Sequence, residues 1–502
     1  MGQVIKKILI ANRGEIACRV MNTCQEMGIK TVAIYSKGEE NALHVQMADE
    51  AYDLGEGTLA ETYLNKVKIL EIAKMTKTSA IHPGYGFLSE NTEFCELIEK
   101  NNIIFIGPKS EHIQLMGDKI TSKNKMMEIG VPVIPGYQGS DQNAETLKKH
   151  ANIIGFPVLI KATAGGGGKG MRIVFKEERF FQELEAAKRE ALSSFGNDHV
   201  LIEKYITKPR HIEVQVMSDT HGNHLHFYER ECSIQRRYQK IVEETPSVAL
   251  SAELRKKICE TATIITEEIN YRGAGTVEFI LDTDGKFYFL EMNTRLQVEH
   301  PITELVTGAD LVYYQILVAK GDKINLRQKD ITQRGHAIEV RLYAEDPSNN
   351  FFPTTGTVHY VGKQKRPGVR LDTGIKDGDI VGVSFDPMVA KLITSSQTRE
   401  QCIEKMKRAI VEYPFLGLQT NREYLIKVLS EDQFISGETF TSFVEENSHL
   451  SESEISDERK AMATLAHFLS SRAAKGQKSG STSVVDSSDI VQDYSGFRIQ
   501  DI

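Results

Sequence analysis

The stretch Lys286–His300, KFYFLEMNTRLQVEH, permits few backbone arrangements, because its polar and apolar residues alternate. Drawn as a strand, it points successive side chains to opposite faces. One face then carries Glu291, Asn293, Arg295, Gln297 and Glu299; the other carries Tyr288, Leu290, Met292, Thr294, Leu296 and Val298 and is suited to burial. The run Asp282-Thr283-Asp284-Gly285 separates it from a second strand pattern, Thr276–Leu281, which predicts a β-hairpin. Pairing Leu281 with Lys286 sets Glu278 opposite Phe289 and diagonal to Glu291 on the same face. Two carboxylates so placed repel unless a cation lies between them. With Asn293 they form an oxygen-rich, incomplete cage of the kind magnesium uses when phosphate oxygens and water complete its shell. The arginine further along the row suits a small anion. A solvated strand edge is the plainer reading of the same pattern.

At 502 residues the chain has room for about three domains. Its net charge of -8 offers no electrostatic footprint for nucleic acid or an anionic membrane. No stretch has the length of a membrane span and the start lacks the pattern of a signal peptide. Cys18, Cys24, Cys95, Cys232, Cys259 and Cys402 are scattered without metal or disulfide spacing, so free thiols in a cytoplasmic enzyme are expected.

The first region alternates strand and helix. Lys7–Ala11 and Thr31–Tyr35 read as strands around a helix from Glu15 to Met27 that stops at Gly28. A helix near Tyr63–Met75 and strand ends at Ala80–Ile81 and Ile103–Ile106 extend this to a doubly wound open sheet. Its first turn, Asn12-Arg13-Gly14-Glu15, lacks a dinucleotide fingerprint. The loop His82–Asn91 should lie at strand carboxyl ends and lead into a helix capped by Ser89. The middle region reads as a mostly antiparallel sheet including His211–Val216 and Leu225–Glu229, and a third region mixes short strands with turns before helices near Glu400–Glu412 and Asn421–Ser430. After Asn447 serine and charged residues dominate, and 475–489 is of low complexity, which predicts disorder. Within this tail Asp457–Leu469 has apolar residues at helical spacing, a candidate partner-binding helix.

Lys161-Ala-Thr-Ala-Gly-Gly-Gly-Gly-Lys-Gly-Met171 lies between two strand patterns. No helix follows the glycines and no Ser or Thr follows Lys169, which excludes a Rossmann fingerprint and a Walker A loop. A strand–glycine loop–strand makes a flap whose amides can close on a polyphosphate. Glu203-Lys204-Tyr205-Ile206 is a candidate hinge for reading an adenine edge through backbone. Glu231–Thr245 mixes charges in the manner of a solvated face, with Gln235 and Lys240 as candidate anion ligands. Locally Arg341 looks like a surface residue, and His211, Glu213 and Gln215 like one polar sheet face.

A glycine flap, a later hairpin with an acid–acid–Asn cage and a preceding βαβ region resemble the ATP-grasp superfamily. The strings ANRGEIA, IHPGYGFLSEN, KATAGGGGKGM, EKY, ECSIQRRYQK and EMNTRLQVEHPITE resemble biotin carboxylase, in unbroken order over residues 1–446. The resemblance implies an α/β and α+β multidomain protein with an ATP-grasp fold. It divides into an N-terminal doubly wound (pre-ATP-grasp) domain at 1–117, an ATP-grasp domain at 118–330 with a mobile glycine-rich lid at about 133–204, a C-terminal mixed domain at 331–446 and a tail at 447–502. It implies that magnesium-bound ATP, or manganese in its place, phosphorylates bicarbonate to carboxyphosphate, whose CO2 carboxylates biotin.

Carried over by resemblance, Lys119, Lys161, Met171, Glu203, His211 and Gln235 would contact nucleotide, with Lys204 and Ile206 at the adenine through backbone. Gly165, Gly166, Gly167 and Gly168 would cover the phosphates. Glu278, Glu291 and Asn293 would hold the metal. Lys240, Arg295, Gln297 and the Val298 amide would hold bicarbonate, Glu299 would deprotonate it, and Arg341 would stabilise the ureido oxygen of biotin. Tyr238 stands where many relatives carry histidine. The 502 residues contain no Ala-Met-Lys-Met string; Ala461-Met462-Ala463 is the nearest fragment. The expectation is therefore a homodimeric subunit that acts on a separate biotin carboxyl carrier protein beside a carboxyltransferase subunit, in an acyl-CoA carboxylase or, alternatively, a pyruvate carboxylase. Another ATP-grasp ligase joining an acyl-phosphate to an amine, or a non-catalytic nucleotide-binding scaffold, are the competing classes.

Overall fold

The computed structural model describes residues 4–162, 171–195, 197–237, 239–363 and 366–452. Strands β1 (Lys7–Ile10), β2 (Lys30–Tyr35), β3 (Glu50–Asp53), β4 (Ala80–His82) and β5 (Ile104–Phe105) form a parallel sheet in the order β3-β2-β1-β4-β5. β3 goes beyond the expected strands; half-buried Glu50, paired with Lys7, and exposed Asp53 mask an edge strand. The helix Gly14–Glu26 ends before Gly28, whose φ of +67° is the left-handed conformation that stops a helix. Because β2 and β4 flank β1 on opposite sides, a crevice opens at the strand ends. Asn12 spans it, its side-chain amide donating to the carbonyls of Pro83 and Tyr85 at 2.8 Å each. The following helix, Thr92–Lys100, is capped by Asn91, which accepts from the Phe94 amide. Ser89 instead lies buried in the preceding turn, its own amide bonded to the Gly86 carbonyl, so it is not the cap.

Strands β6 (Gly136–Tyr137), β7 (Val158–Ala162), β8 (Met171–Val174) and β9 (Val200–Lys204) form a small antiparallel sheet ordered β6-β9-β7-β8. Helices Ala144–Ile154 and Phe180–Phe195 cover it, packing Leu147, Phe180 and Leu184 on Val158, Ile160 and Ile202. Gly165–Gly168, and Tyr238, lie outside the described residues.

The central feature is one antiparallel sheet of eight strands. It contains β10 (Arg210–Ser218), β11 (His224–Arg236), β12 (Gln239–Thr245), β13 (Gly273–Leu281), β14 (Phe287–Asn293) and β15 (His336–Tyr343), in the order β14-β13-β10-β11-β12-β15, continued by Met388–Ser396 and Val369–Thr373. Alternation, interrupted at a few bulges, gives the sheet two unlike faces. Ile212, Val214, Val277 and Phe279 pack on the helix Ala252–Glu268, and Ile338, Val340 and Leu342 pack on the helix Arg399–Glu412. The opposite face carries His211, Glu213, Gln215, Glu278, Glu339 and Arg341, all buried. The Glu231–Thr245 run is likewise inside: Glu231, Glu243 and Glu244 are buried in β11 and β12, which corrects the solvated-face reading.

The β13–β14 hairpin departs from its expected register. Leu281 pairs with Phe287 and Phe279 with Phe289, after which a bulge at Leu290 sets Glu278 directly opposite Glu291 and Thr276 opposite Asn293. Leu290, expected in the burial row, is 41% exposed because the extra residue is pushed out of the ladder. The strand ends at Asn293. Arg295–Glu299 form a turn into the helix His300–Thr307, where Pro301 stands in the first turn and could not continue a ladder.

The units meet closely. A Cβ on Gly374 would stand 2.4 Å from the Gly14 backbone, so only glycine allows this approach of the third region to the first sheet. Arg19 on the first helix binds Glu304 and Asp310 at 2.7 Å. The turn Ser448–Ser451 packs Leu450 into the core beside Phe443 and Leu425, so the expected tail boundary at 447 falls inside the packed body. The expected helix 457–469 lies outside the described residues.

Candidate active site

The turn after β14 places Glu299 under the sheet at 0% exposure, between two cations from adjacent strands. Lys240 on β12 donates to its Oε1 at 2.7 Å, and Arg341 on β15 donates to its Oε2 at 2.9 Å. Burial opposes ionisation of Glu299, yet Lys240, Arg341 and Arg230 together hold its carboxyl well below the usual range. It is therefore an anion at neutral pH, with its proton-accepting oxygens fixed in direction. Arg341, which sequence alone left on the surface, is buried and also donates to Glu243 at 2.7 Å.

Lys240 makes two further ion pairs, 2.6 Å to Glu213 and 3.0 Å to Glu278. Burial pulls its ammonium toward neutrality, but Glu213, Glu278 and Glu299 raise it well above the usual lysine range. Glu213 is shared with Arg230, which lies 2.5 Å away at 0% exposure and also bonds Gln215, Thr303 and Thr276. A charge so deep in the protein persists only when each of its donors finds a partner.

Glu278 links this cluster to the hairpin. Its Oε1 accepts from Lys240, from Asn293 Nδ2 at 2.8 Å and from Gln297 Nε2 at 3.1 Å, and its Oε2 lies 2.8 Å from His211 Nε2. Burial raises its pKa, but Lys240 and His211 overcome this and leave it far below the usual range. The bulge brings Glu291 directly across from it, with Lys119 reaching Glu291 at 3.5 Å. Two carboxylates and an amide oxygen on paired strands suit a hard divalent cation that shares its shell with phosphate and water. His211, Glu213 and Glu278 form a second grouping whose ligand atoms converge.

Arg295 lies at the mouth. It donates to Glu90 at 2.8 Å, to Gln297 at 3.1 Å and to Asn293 at 3.1 Å. Glu90 comes from the His82–Asn91 loop and also accepts from the Thr294 amide, so the first sheet's ligand-end loop buttresses the anion end of the site. The Val298 carbonyl accepts from buried Lys391 at 2.8 Å, which pins the turn bearing Glu299.

The lid end holds a separate group. Glu203 pairs with Lys123 at 2.8 Å and Lys161 at 2.5 Å. Its pKa is lowered, the two lysines outweighing burial. The Lys204 amide donates to the Pro135 carbonyl, so the expected backbone reading at that residue falls to its carbonyl, beside Ile206. Met171 opens β8 opposite Lys161, and Gln235 pairs with Lys240 across the β11–β12 hairpin. Sequence reasoning missed Glu213, Arg230, Glu243 and Glu339 as members of the buried network. The even spacing of His211, Glu213 and Gln215 was a signal for Glu213 alone.

The biotin carboxylase N-terminal domain family matches residues 4–113, the carbamoyl-phosphate synthase L chain ATP-binding domain family 118–327, and the biotin carboxylase C-terminal domain family 339–446. Biotin carboxylase 1 of Bacillus subtilis is 48% identical over 443 residues, covering 88% of this chain and 98% of the relative. The chain belongs to the biotin carboxylase family. Its ATP-grasp unit supplies the site above, and the flanking family domains contribute Glu90 and Arg341. The mitochondrial methylcrotonoyl-CoA carboxylase subunit alpha of Rattus norvegicus is 50% identical over 444 residues, covering 88% of this chain; the chain spans 62% of that relative's length. Among solved structures, the biotin carboxylase domain dimer of Hydrogenobacter thermophilus 2-oxoglutarate carboxylase, in complex with MgADP, ADP and bicarbonate, superposes with a TM-score of 0.81 at 45% identity, covering 90% of this chain and all of that one. The biotin carboxylase subunit of a pyruvate carboxylase gives a TM-score of 0.84 at 46% identity with the same coverage.

Proposed function

We propose that this chain uses ATP to activate bicarbonate and carboxylates biotin presented on a carrier, the first half-reaction of an acyl-CoA carboxylase. The observation that carries this reading is Glu299, an anionic base fixed between Lys240 and Arg341 while Glu278 joins Lys240 to the hairpin. Lys240, Arg295, Gln297 and the Val298 amide bind bicarbonate, and Glu299 removes its proton as a bicarbonate oxygen attacks the γ-phosphorus of ATP and ADP leaves. The carboxyphosphate then releases CO2, the phosphate takes the ureido N–H proton of biotin, and Arg341 balances the charge on the ureido oxygen while the N–C bond forms.

Lys119, Lys161, Met171, Glu203, His211 and Gln235, with Gly165–Gly168, bind nucleotide, and Lys204 and Ile206 read adenine through backbone. Glu278, Glu291 and Asn293 would hold magnesium, or manganese in its place, which when bound draws charge from phosphate oxygens. The domains are taken as 1–117, 118–330 with a lid at 133–204, and 331 onward.

The methylcrotonoyl-CoA relatives support an acyl-CoA as final acceptor, and the pyruvate carboxylase neighbour supports the alternative, pyruvate. The partners are a biotin carrier and a carboxyltransferase, and a homodimer is inferred from the neighbouring domain dimer. Six buried, unpaired cysteines suit a reducing compartment, taken as the cytoplasm; mitochondrial relatives make cell fractionation the arbiter. Among the described residues no single helix is long and apolar enough to cross a membrane.

The deciding experiment measures ADP release with magnesium and ATP, with and without bicarbonate and free biotin. Bicarbonate-dependent release stimulated by biotin is expected. Release indifferent to both would overturn the reading.

A further inference from the structure

Beneath Arg341 lies a pair of carboxyls that the reaction above does not use. Glu243 on β12 and Glu339 on β15 are directly opposed in the ladder, and both are at 0% exposure. Side chains in that relation have Cβ atoms about 4.5–5.5 Å apart. Glu243 Oε1 accepts from Arg341, but Glu243 Oε2 and both oxygens of Glu339 have no donor among the described residues. Two facing anions with three unbonded oxygens cannot persist in a dry interior. A proton on one of them removes the conflict, because a carboxyl O–H can donate to a carboxylate.

We propose that Glu339 keeps its proton, donates it as a hydrogen bond to Glu243 Oε2, and so positions Arg341 for the biotin half of the reaction proposed above.

The surrounding charges favour this arrangement. Lys391, the nearest cation on the neighbouring strand, turns its ammonium to the Val298 carbonyl at 2.8 Å, Glu15 at 3.3 Å and Asp372 at 3.8 Å. Arg341, on Glu339's own strand, is committed to Glu243 and Glu299. The packed helix His300–Thr307 brings His300, bonded to the Gln297 carbonyl, and Glu304, bonded to Arg19 and Arg370. On the other face the helix Arg399–Glu412 packs apolar side chains on the strand. Burial, against partial compensation by Lys391, raises the Glu339 carboxyl well above the usual range, and burial likewise raises Glu243 to about 7 despite Arg341. The two titrate as a pair, and Arg341 places the negative charge on Glu243.

A carboxyl whose folded pKa exceeds its unfolded value contributes stability below the unfolded value, near 4.5 for glutamate, and loses it as pH rises toward the folded value. The full chain should therefore lose thermal stability as pH rises from about 4.5 toward that folded value, and Glu339→Gln, which cannot ionise but still donates an N–H, should flatten that loss. Infrared difference spectra at neutral pH should show a protonated-carboxyl band that Glu339→Gln removes. Glu339→Leu, with no donor, should lower biotin-stimulated turnover on the order of 10- to 100-fold through misplacement of Arg341, with a smaller change in bicarbonate-dependent ADP release without biotin. Glu339→Gln should recover most of the biotin-stimulated rate.

A neutral-pH spectrum without that band, or equal loss in the Gln and Leu variants, would overturn the proposal. If the unsubstituted protein shows no bicarbonate-dependent ADP release, the functional reading fails. The infrared band and the pH–stability profile would still decide the state of Glu339.

Discussion

Glu299 needs all of its neighbours to be a base. Lys240 and Arg341 make it an anion, but an anion between two cations is a weak acceptor until a substrate draws one of them away. Replacing it with glutamine preserves the volume and a carbonyl acceptor while removing proton affinity. Glu299→Gln should lower bicarbonate-dependent ADP release by roughly 10²–10⁴-fold, the range of a general base, while equilibrium binding of nucleotide stays near that of the unsubstituted chain. Full turnover in that variant would move the base elsewhere. At this scale the sequence was informative where polar residues lie close together, as in Glu291, Asn293, Arg295, Gln297 and Glu299. It was uninformative where partners are distant: Arg341 meets Glu243 across 98 positions and Glu299 across 42. A lone arginine in Ile338-Glu-Val-Arg-Leu carries no mark of those contacts.

Among elements, the hairpin and the first sheet were legible because turn residues and apolar runs fix them locally. The bulge at Leu290 was not, since nothing in Phe287–Asn293 distinguishes a leucine in the ladder from one pushed out of it. That single inserted residue decides whether Glu278 faces Leu290 or Glu291, and hence whether the two carboxylates converge. The end of the body was also hidden, because Ser448–Ser451 is polar apart from Leu450. Leu450 is 7% exposed, and Lys427 donates to the Glu452 carbonyl. Ending the chain after Glu452 should leave thermal stability unchanged. Ending it after Glu446 should cost about 1.5–3 kcal/mol for the lost leucine burial, read as a lower urea midpoint. Equal midpoints would place Leu450 outside the cooperative core.

For the whole molecule, a single sheet joins the central and C-terminal regions, and Arg19 and Gly374 clamp the first region to them. A homodimer of this 56.3 kDa chain should sediment at about twice that mass, independent of nucleotide; a monomer at micromolar concentration would remove that assignment. The eight-stranded sheet acts as a ruler. Neighbouring strands stand about 4.8 Å apart, so Lys240 on β12 and Arg341 on β15 sit on adjacent rungs and cannot separate without breaking the ladder. Among the described residues the small four-stranded sheet shares no strand with it. Substitutions in the small sheet therefore act on the Lys161–Glu203 end, where nucleotide is proposed to bind, and leave the Lys240–Arg341 spacing to the ladder.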